Sequence, residues 1–96
     1  MLSMNETGTN DNVLKLVYFA WVRERIGRPE EQIVLPGEVR TVSDLLSWLK
    51  GRGEGYEAAL EHADVIRVAI DHEHVDHGEP IAGAREVALF PPMTGG

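Results

Sequence analysis

The residues with the clearest chemical potential are the last six, Pro91-Pro92-Met93-Thr94-Gly95-Gly96, which directly follow a strand-like segment. Two prolines cannot extend a β-ladder and favour a stiff, extended exit. Two glycines leave the end narrow and free to rotate. Six extended residues reach roughly 20 Å. We therefore expect a flexible, extended tail that can enter a narrow channel in another protein and present the carboxylate of Gly96.

That carboxylate could take part in acyl chemistry only after activation, because its leaving group would otherwise be oxide. Transfer to AMP would give an acyl-adenylate, which a sulfur nucleophile can attack to leave a thiocarboxylate or thioester. The chain has no cysteine, so the sulfur would have to come from elsewhere. The tail also contains no acid or base, so another protein must supply the catalysis. The alternative is an inert Gly-Gly end, which the preceding strand and Pro-Pro exit disfavour.

A second candidate for chemistry is the histidine-rich run that contains His72, His74 and His77. The carboxylates around them are those of Asp71, Glu73, Asp76 and Glu79. Imidazole and carboxylate groups are metal ligands, and His72 and His74 would share one face of a strand. A turn would scatter them, however, and we interpret them as solvated turn residues without a metal. No glycine-rich phosphate loop precedes a helix, so nucleotide binding is assigned to a partner.

Composition narrows the remaining function classes. The 96 residues fit one domain and carry a net charge of −7, which argues against sequence-independent binding to nucleic acid or anionic lipid. The charge is compatible with two roles, solubility alone or docking on a basic partner. No segment approaches the ~20 apolar residues of a membrane span, and the first residues do not resemble a secretory signal. A cytoplasmic protein is expected.

The apolar pattern predicts the elements that must position the tail. Strand signals lie at Val13 to Ala20, Gln32 to Leu35, Val65 to Ile70, around Val75, and at Glu86 to Phe90. A helical turn ended by Gly27 follows the first strand. The main helix begins at Thr41 and ends in Lys50-Gly51-Arg52-Gly53. Its apolar stripe is Val42, Leu45, Leu46 and Leu49, and a weaker stripe follows at Tyr56, Ala59, Leu60 and Ala63.

This order, ββαββ with an extra short strand, predicts an α+β fold of the ubiquitin-like β-grasp type. A mixed sheet would carry one main helix on one face. Residues 1–12 are polar and are expected to form a disordered N-terminal extension. Residues 13–90 would form the domain, and residues 91–96 the tail.

The two faces of the sheet follow from alternation along the strands. In the first strand Leu14, Leu16, Tyr18 and Ala20 would share the core face, whereas Lys15 marks the outer set that includes Phe19. In the last strand Val87 and Leu89 would face inward, and Glu86 marks an outer set with Ala88 and Phe90. Phe19 and Phe90 are therefore expected on the outer face, where they form a binding patch if they adjoin. Otherwise each is simply covered by loops or by the N-terminal extension.

Four segments of the chain resemble the small subunit of molybdopterin synthase. In chain order they are VLKLVYFAWVRERIG, TVSDLLSWL, VAIDHEHVDHGEPIAGAREVALFPP and, overlapping the third, EVALFPPMTGG. This family comprises MoaD-type, ubiquitin-like sulfur carriers, and the resemblance covers Val13 to Gly96. Asp71 stands where the family often has Asn, and the histidine-rich run is another departure.

The resemblance implies a complete reaction sequence. An E1-like enzyme uses ATP to adenylate Gly96, and a sulfur donor system converts it to a thiocarboxylate. The tail, Pro91 to Gly95 included, then inserts into the large synthase subunit and gives sulfur to cyclic pyranopterin monophosphate in molybdenum cofactor biosynthesis. The chain itself would bind no cofactor and would be no enzyme alone, since the large subunit supplies the catalytic residues. The family assembles as a heterotetramer, and its interface aromatics map onto Phe19 and Phe90.

Three alternatives stay open at this point. The chain could carry sulfur for another pathway, such as thiazole synthesis or tRNA thiolation, although the FPP entry to the tail favours the molybdopterin branch. It could be a ubiquitin-like modifier that forms isopeptide bonds with lysines. It could also be a β-grasp interaction module with an inert tail.

Overall fold

The computed structural model describes residues 13–92. The strands are β1 (Val13–Tyr18), β2 (Glu30–Val34), β3 (Arg67–Ile70), β4 (Glu73–Val75) and β5 (Glu86–Phe90). The helices are α1 (Ala20–Ile26), α2 (Val42–Lys50) and α3 (Glu54–Ala59), followed by a 3₁₀ turn at Ala63–Val65. The predicted N-terminal extension, residues 1–12, and the tail residues 93–96 lie outside the described range. Between residues 13 and 92 no helix has the length and apolar character needed to cross a membrane.

The five strands form one mixed sheet in the order β2-β1-β5-β3-β4. The first and last strands, β1 and β5, are parallel neighbours at its centre, and every other pair is antiparallel. A parallel pair needs a long crossover, and here the crossover contains the helices that cover one face. The predicted mixed-sheet α+β fold is confirmed.

Alternation along β1 agrees with the predicted faces. Leu14, Leu16 and Tyr18 are at most 2 % exposed, whereas the residues between them are half-buried. The predicted extension of this strand to Ala20 is wrong. The strand ends at Tyr18, because Phe19 caps α1 and Ala20 adopts a left-handed φ of 54° that turns the chain away from the sheet. Ala20 therefore does not share the core face.

The main helix, α2, begins at a full capping box. The Asp44 amide donates to the Thr41 hydroxyl over 3.2 Å, and the Asp44 carboxylate accepts from the Thr41 amide over 3.2 Å. Capping satisfies backbone donors that the first turn leaves unpaired. The predicted stripe is buried against the sheet and consists of Val42, Leu45, Leu46 and Leu49. The helix packing face was thus predicted correctly.

Two strand starts differ from the prediction, and β2 ends one residue earlier than predicted, at Val34. The ladder of β2 starts at Glu30, because Val17 of β1 pairs with it, and this pairing overrides the poor strand propensity of two glutamates. The third strand starts at Arg67 instead of Val65. The Val65 and Ile66 amides donate to His62 and Ala63 carbonyls in the 3₁₀ turn, so the chain pairs with β5 only from Arg67 onward.

Candidate functional site

The two aromatic residues predicted on the outer sheet face do adjoin. The rings of Phe19 and Phe90 are stacked, with centroids 4.7 Å apart and planes at 2°. The Phe19 amide donates to the Leu89 carbonyl over 3.1 Å, which continues the β1–β5 contact past the end of β1. The side chain of Phe19 is 40 % exposed. The position of this pair beside the exit of the tail makes it a candidate binding surface.

Two further residues join the aromatic pair, and neither of them was placed on this surface by the sequence analysis. The His74 ring on β4 stacks on Phe90, with centroids 5.6 Å apart and planes at 24°. Arg67 on β3 is directly opposite Phe90 in the β3–β5 register. Alternation across neighbouring strands could have placed both on the outer face, once the sheet order was known. We call these four residues (Phe19, Arg67, His74 and Phe90) the outer-face patch.

The outer-face patch borders an open cavity of about 520 Å³, which Pro91 and Pro92 also line. Two small side chains lie on the same outer face of the sheet. Ala88 on β5 and Ala69 on β3 are paired and only 5 % and 4 % exposed. The expectation that the outer set of β5 faces solvent is therefore wrong for Ala88, because small side chains on central strands are shielded by larger neighbours.

The histidine-rich run does not converge on one point. His72 Nε2 lies 3.3 Å from a Glu86 carboxylate oxygen, and His77 Nε2 lies 2.7 Å from the Ile66 carbonyl. His74 instead stacks on the outer-face patch. Among the described residues no group of three or more His, Asp or Glu side chains is arranged to hold a metal ion.

A tight turn explains this scatter. Asp71 and His72 connect β3 to β4 and have φ values of 49° and 75°, the left-handed pair that two-residue hairpin loops require. Asp tolerates this conformation better than most residues. One Asp71 carboxylate oxygen also accepts from the Arg85 and Glu86 amides, each over 3.0 Å. Asp71, singled out as a departure from the resembled family, thus anchors the start of β5.

A polar cluster on the helical side was not predicted. The Glu31 carboxylate accepts from the Tyr18 hydroxyl over 2.7 Å and from the Tyr56 hydroxyl over 2.6 Å. The guanidinium groups of Arg28 and Arg52 each lie 3.3 Å away. The only sequence signal was alternation on β2, which puts Glu31 on the same face as a core residue. The cluster ties this edge strand to β1 and α3.

The environment of this carboxylate favours its charged form. Burial alone would raise the pKa of the Glu31 carboxyl, but the tyrosine hydroxyls and the guanidinium groups outweigh it and lower that pKa. Burial is the main cause that raises the pKa of the Tyr18 hydroxyl, and its hydrogen bond to Glu31 raises that pKa further. The same two causes raise the pKa of the Tyr56 hydroxyl. The tyrosines therefore remain donors and the carboxylate remains an acceptor around neutral pH.

The predicted working group lies outside the described range. Pro91 and Pro92 are half-buried and follow β5 without helix or strand structure. Met93, Thr94, Gly95 and Gly96 fall among the residues that the structure does not describe, so their placement stays a prediction. The geometry places the last described residues beside the outer-face patch.

Comparison with known proteins assigns the chain to a family. The ThiS family model matches residues 16–96. The chain belongs to the ThiS family. This ThiS-family chain is 30 % identical to the molybdopterin synthase sulfur carrier subunit of Escherichia coli over 84 residues, which cover 88 % of the chain and 100 % of the relative. The subunit of the same name from Haemophilus influenzae is 31 % identical over the same shares. The predicted membership among MoaD-type sulfur carriers is confirmed.

Solved structures agree on the fold of this ThiS-family chain. A Pyrococcus furiosus protein provisionally called molybdopterin converting factor subunit 1 has a TM-score of 0.67 and 28 % identity, over 84 % of this chain and 98 % of that one. The small archaeal modifier protein 1 of Haloferax volcanii has a TM-score of 0.64 and 30 % identity, over 84 % and 98 %. These neighbours confirm the predicted β-grasp.

Proposed function

We propose that this chain is the sulfur carrier subunit of a molybdopterin synthase and acts in molybdenum cofactor biosynthesis, with the carboxylate of Gly96 as its working group. The supporting observation is the extent of the similarity. Relatives named as such carriers are matched over 100 % of their length, and the family match reaches Gly96. The segment with the predicted chemistry therefore belongs to the part of the chain that is shared.

Charging of the carrier needs two steps, both catalysed elsewhere. An E1-like adenylating enzyme joins the Gly96 carboxylate to AMP from ATP, with release of pyrophosphate. A sulfur donor system then displaces AMP and leaves a thiocarboxylate. This activation splits a difficult substitution into two easier ones. The carrier contributes a thin, side-chain-free end and binds no cofactor of its own.

Sulfur transfer takes place in the large subunit of the synthase. Residues Pro91 to Gly95 extend into it, and the thiocarboxylate gives its sulfur to cyclic pyranopterin monophosphate. The large subunit supplies the catalytic residues, so the carrier alone is not an enzyme. The dithiolene group of the product, molybdopterin, contains two sulfur atoms. A carrier that has given up its sulfur must therefore leave and be recharged or replaced. A heterotetramer with large subunits at its centre accommodates this exchange, and the cytoplasm is the proposed location.

The outer-face patch would hold the carrier on the large subunit while the tail is inserted. Phe19 and Phe90 offer a stacked apolar surface next to Pro91 and Pro92. Partly exposed aromatic side chains at the centre of an interface commonly dominate its binding energy. A surface at the foot of the tail also fixes the depth to which the tail can reach.

A second candidate function is that of a protein modifier. It is favoured by the 30 % identity and shared fold with the small archaeal modifier protein 1. Such a modifier would share the adenylation step, but Gly96 would end in an isopeptide bond to a lysine.

Intact-mass measurement tests the proposal directly. The purified chain is incubated with its adenylating enzyme, ATP and a sulfur donor, and a variant without Gly96 serves as the matched control. We expect replacement of one oxygen by sulfur at Gly96 in the native chain alone. Adducts on lysines would support the modifier, and an unchanged mass with a demonstrably active charging system would indicate an inert interaction module.

Deletion of Gly96 should also abolish sulfur transfer without affecting the fold. The shortened tail still has a carboxylate, but that group would stop one residue, about 3.3–3.6 Å, short of its target. Product formation is measured with purified large subunit, with thermal unfolding as the control for folding. Equal transfer by the shortened and the complete chain would refute the assignment of Gly96.

A further inference from the structure

The outer-face patch is not uniformly apolar, because a cation borders its aromatic pair. Arg67 is paired with Phe90 across the β3–β5 ladder and lines the same cavity as Phe19 and His74. Directly opposed residues of neighbouring antiparallel strands have β-carbons about 4.5–5.5 Å apart. A partner that covers Phe90 therefore also covers Arg67.

The surroundings of Arg67 differ from those of arginines that have structural roles. Arg28 and Arg52 both lie 3.3 Å from the Glu31 carboxylate, and Arg25 lies 4.3 Å from the centroid of the Trp21 ring. Arg67 is exposed, and no carboxylate of residues 13–92 lies within ion-pair distance of it. Covering this guanidinium with an apolar surface would remove its water without replacing the lost interactions, which is costly.

Arg67 also borders a second cavity, and acidic side chains line this one. Asp64, Asp76 and Glu79 line an adjoining cavity that Arg67 and His74 also border. Arg67 thus borders one cavity with an aromatic lining and one with an acidic lining. A uniformly basic partner would match the acidic lining but would place a like charge against Arg67, which suppresses binding.

We propose that Arg67 is a specificity-determining residue of the outer-face patch, and that the partner presents a carboxylate to it beside an apolar group that enters the cavity. The guanidinium fork matches a carboxylate with two parallel hydrogen bonds, and its flat face tolerates aromatic neighbours. Arginine and aromatic residues are also the types enriched at the centre of interfaces. This inference rests on the proposed function, in which the partner is the large subunit of molybdopterin synthase.

The test is the affinity of the full-length chain for the purified large subunit, measured by calorimetry. We expect Arg67→Glu to weaken binding about 30-fold or more, since it sets two carboxylates against each other, and Arg67→Gln to weaken it about tenfold. The matched control is Arg85→Glu, which changes net charge equally at an exposed position before β5. It should change affinity by about twofold or less. Thermal unfolding confirms that all variants fold.

A charge exchange identifies the partner group. Asp and Glu residues of the large subunit are replaced by Arg one at a time, and one replacement should restore binding to Arg67→Glu but not to Arg85→Glu. Equal losses of affinity for Arg67→Glu and Arg85→Glu, or native affinity in Arg67→Glu, would overturn the inference. Sulfur transfer by the native chain would still support the proposed function in that case. A native chain that neither binds the large subunit nor supports sulfur transfer would overturn the proposed function, and this inference with it.

Discussion

At the residue scale, Glu31 is the carboxylate with the most side-chain partners among the described residues. Its carboxylate is 7 % exposed and receives two tyrosine hydroxyls and two guanidinium groups. Few carboxylates are so well covered unless they are fully hydrogen-bonded. The neighbouring Glu30 on the same edge strand is 55 % exposed and lies 3.7 Å from Lys15. Adjacent glutamates on one strand thus differ widely in exposure and in the number of their partners.

Replacement of Glu31 by Gln should lower the free energy of unfolding by about 1–3 kcal/mol, since charge-assisted bonds are lost and two guanidinium groups lose their counter-charge. The matched variant Glu30→Gln should cost about 0–1 kcal/mol, as expected for an exposed ion pair. Chemical denaturation of both variants at pH 7 makes the comparison. Equal costs would show that the cluster does not stabilise the fold.

The same carboxylate should give the protein an acid-sensitive contribution to stability. Because the pKa of Glu31 is lower in the folded than in the unfolded chain, its contribution is present above the unfolded pKa and is lost as pH falls through the folded one. Native stability should therefore fall on acidification below the ordinary glutamate pKa of about 4.3. Denaturation curves over this range should show a smaller fall for Glu31→Gln, and parallel curves would contradict the assignment.

At the element scale, a close approach between α1 and α3 decides how the helical layer packs. A β-carbon built on Gly55 would lie 2.6 Å from the Arg25 carbonyl oxygen, closer than real side chains come to backbone. The two helices can thus approach only because residue 55 has no side chain. This contact also places Tyr56 where its hydroxyl reaches Glu31.

Substitution of Gly55 by Ala should therefore destabilise the protein, although alanine has the better helix propensity. We expect a loss of about 1–3 kcal/mol, because backbone must move to admit the methyl group. Gly78→Ala is the control, since a β-carbon there would meet nothing within 4 Å. Thermal unfolding of the two variants measures the difference. A Gly55→Ala protein as stable as its control would show that the helices can separate without cost.

At the scale of the whole molecule, the sheet topology places the end of the first strand beside the end of the last strand. The parallel pairing of β1 with β5 sets the residue after the first strand beside the end of the last. The outer-face patch and the start of the tail consequently share one end of the domain, where one partner surface can engage both. The polar Glu31 cluster involves the inward-facing Tyr18 and the helical layer, so stability and recognition rest on different groups.

This separation predicts that Phe90→Ala affects recognition more than folding. The ring is half-buried and stacks on a partly exposed neighbour, so its removal should cost little stability but weaken binding to the large subunit about 30-fold, as for a central aromatic anchor. The control Val34→Ala trims an apolar side chain that is 68 % exposed on the edge strand β2. Calorimetric titration gives the affinities, and unchanged affinity in Phe90→Ala would contradict a role of the patch in docking.

Local pattern was enough to determine several features of this protein. The stripe of α2, the capping residue Thr41 and the alternation along β1 up to Tyr18 depend on contacts within one element, and the structure reproduces them. The opposite faces of the sheet, and with them the outer positions of Phe19 and Phe90, follow from the same periodicity. The prediction for Gly96 comes from the composition of the tail and the family resemblance, and stays a prediction.

Tertiary structure alone decided the features that need two distant segments. The start of β2 at Glu30 and of β3 at Arg67 depends on which partner residue offers backbone groups, which no local propensity encodes. Single hydrogen bonds of the Glu31 cluster span up to 25 positions, and the outer-face patch joins three strands whose order the sequence does not state. Such contacts arise from the global packing of the chain, so the roles of Arg67, His74 and Glu31 became apparent only in the folded molecule.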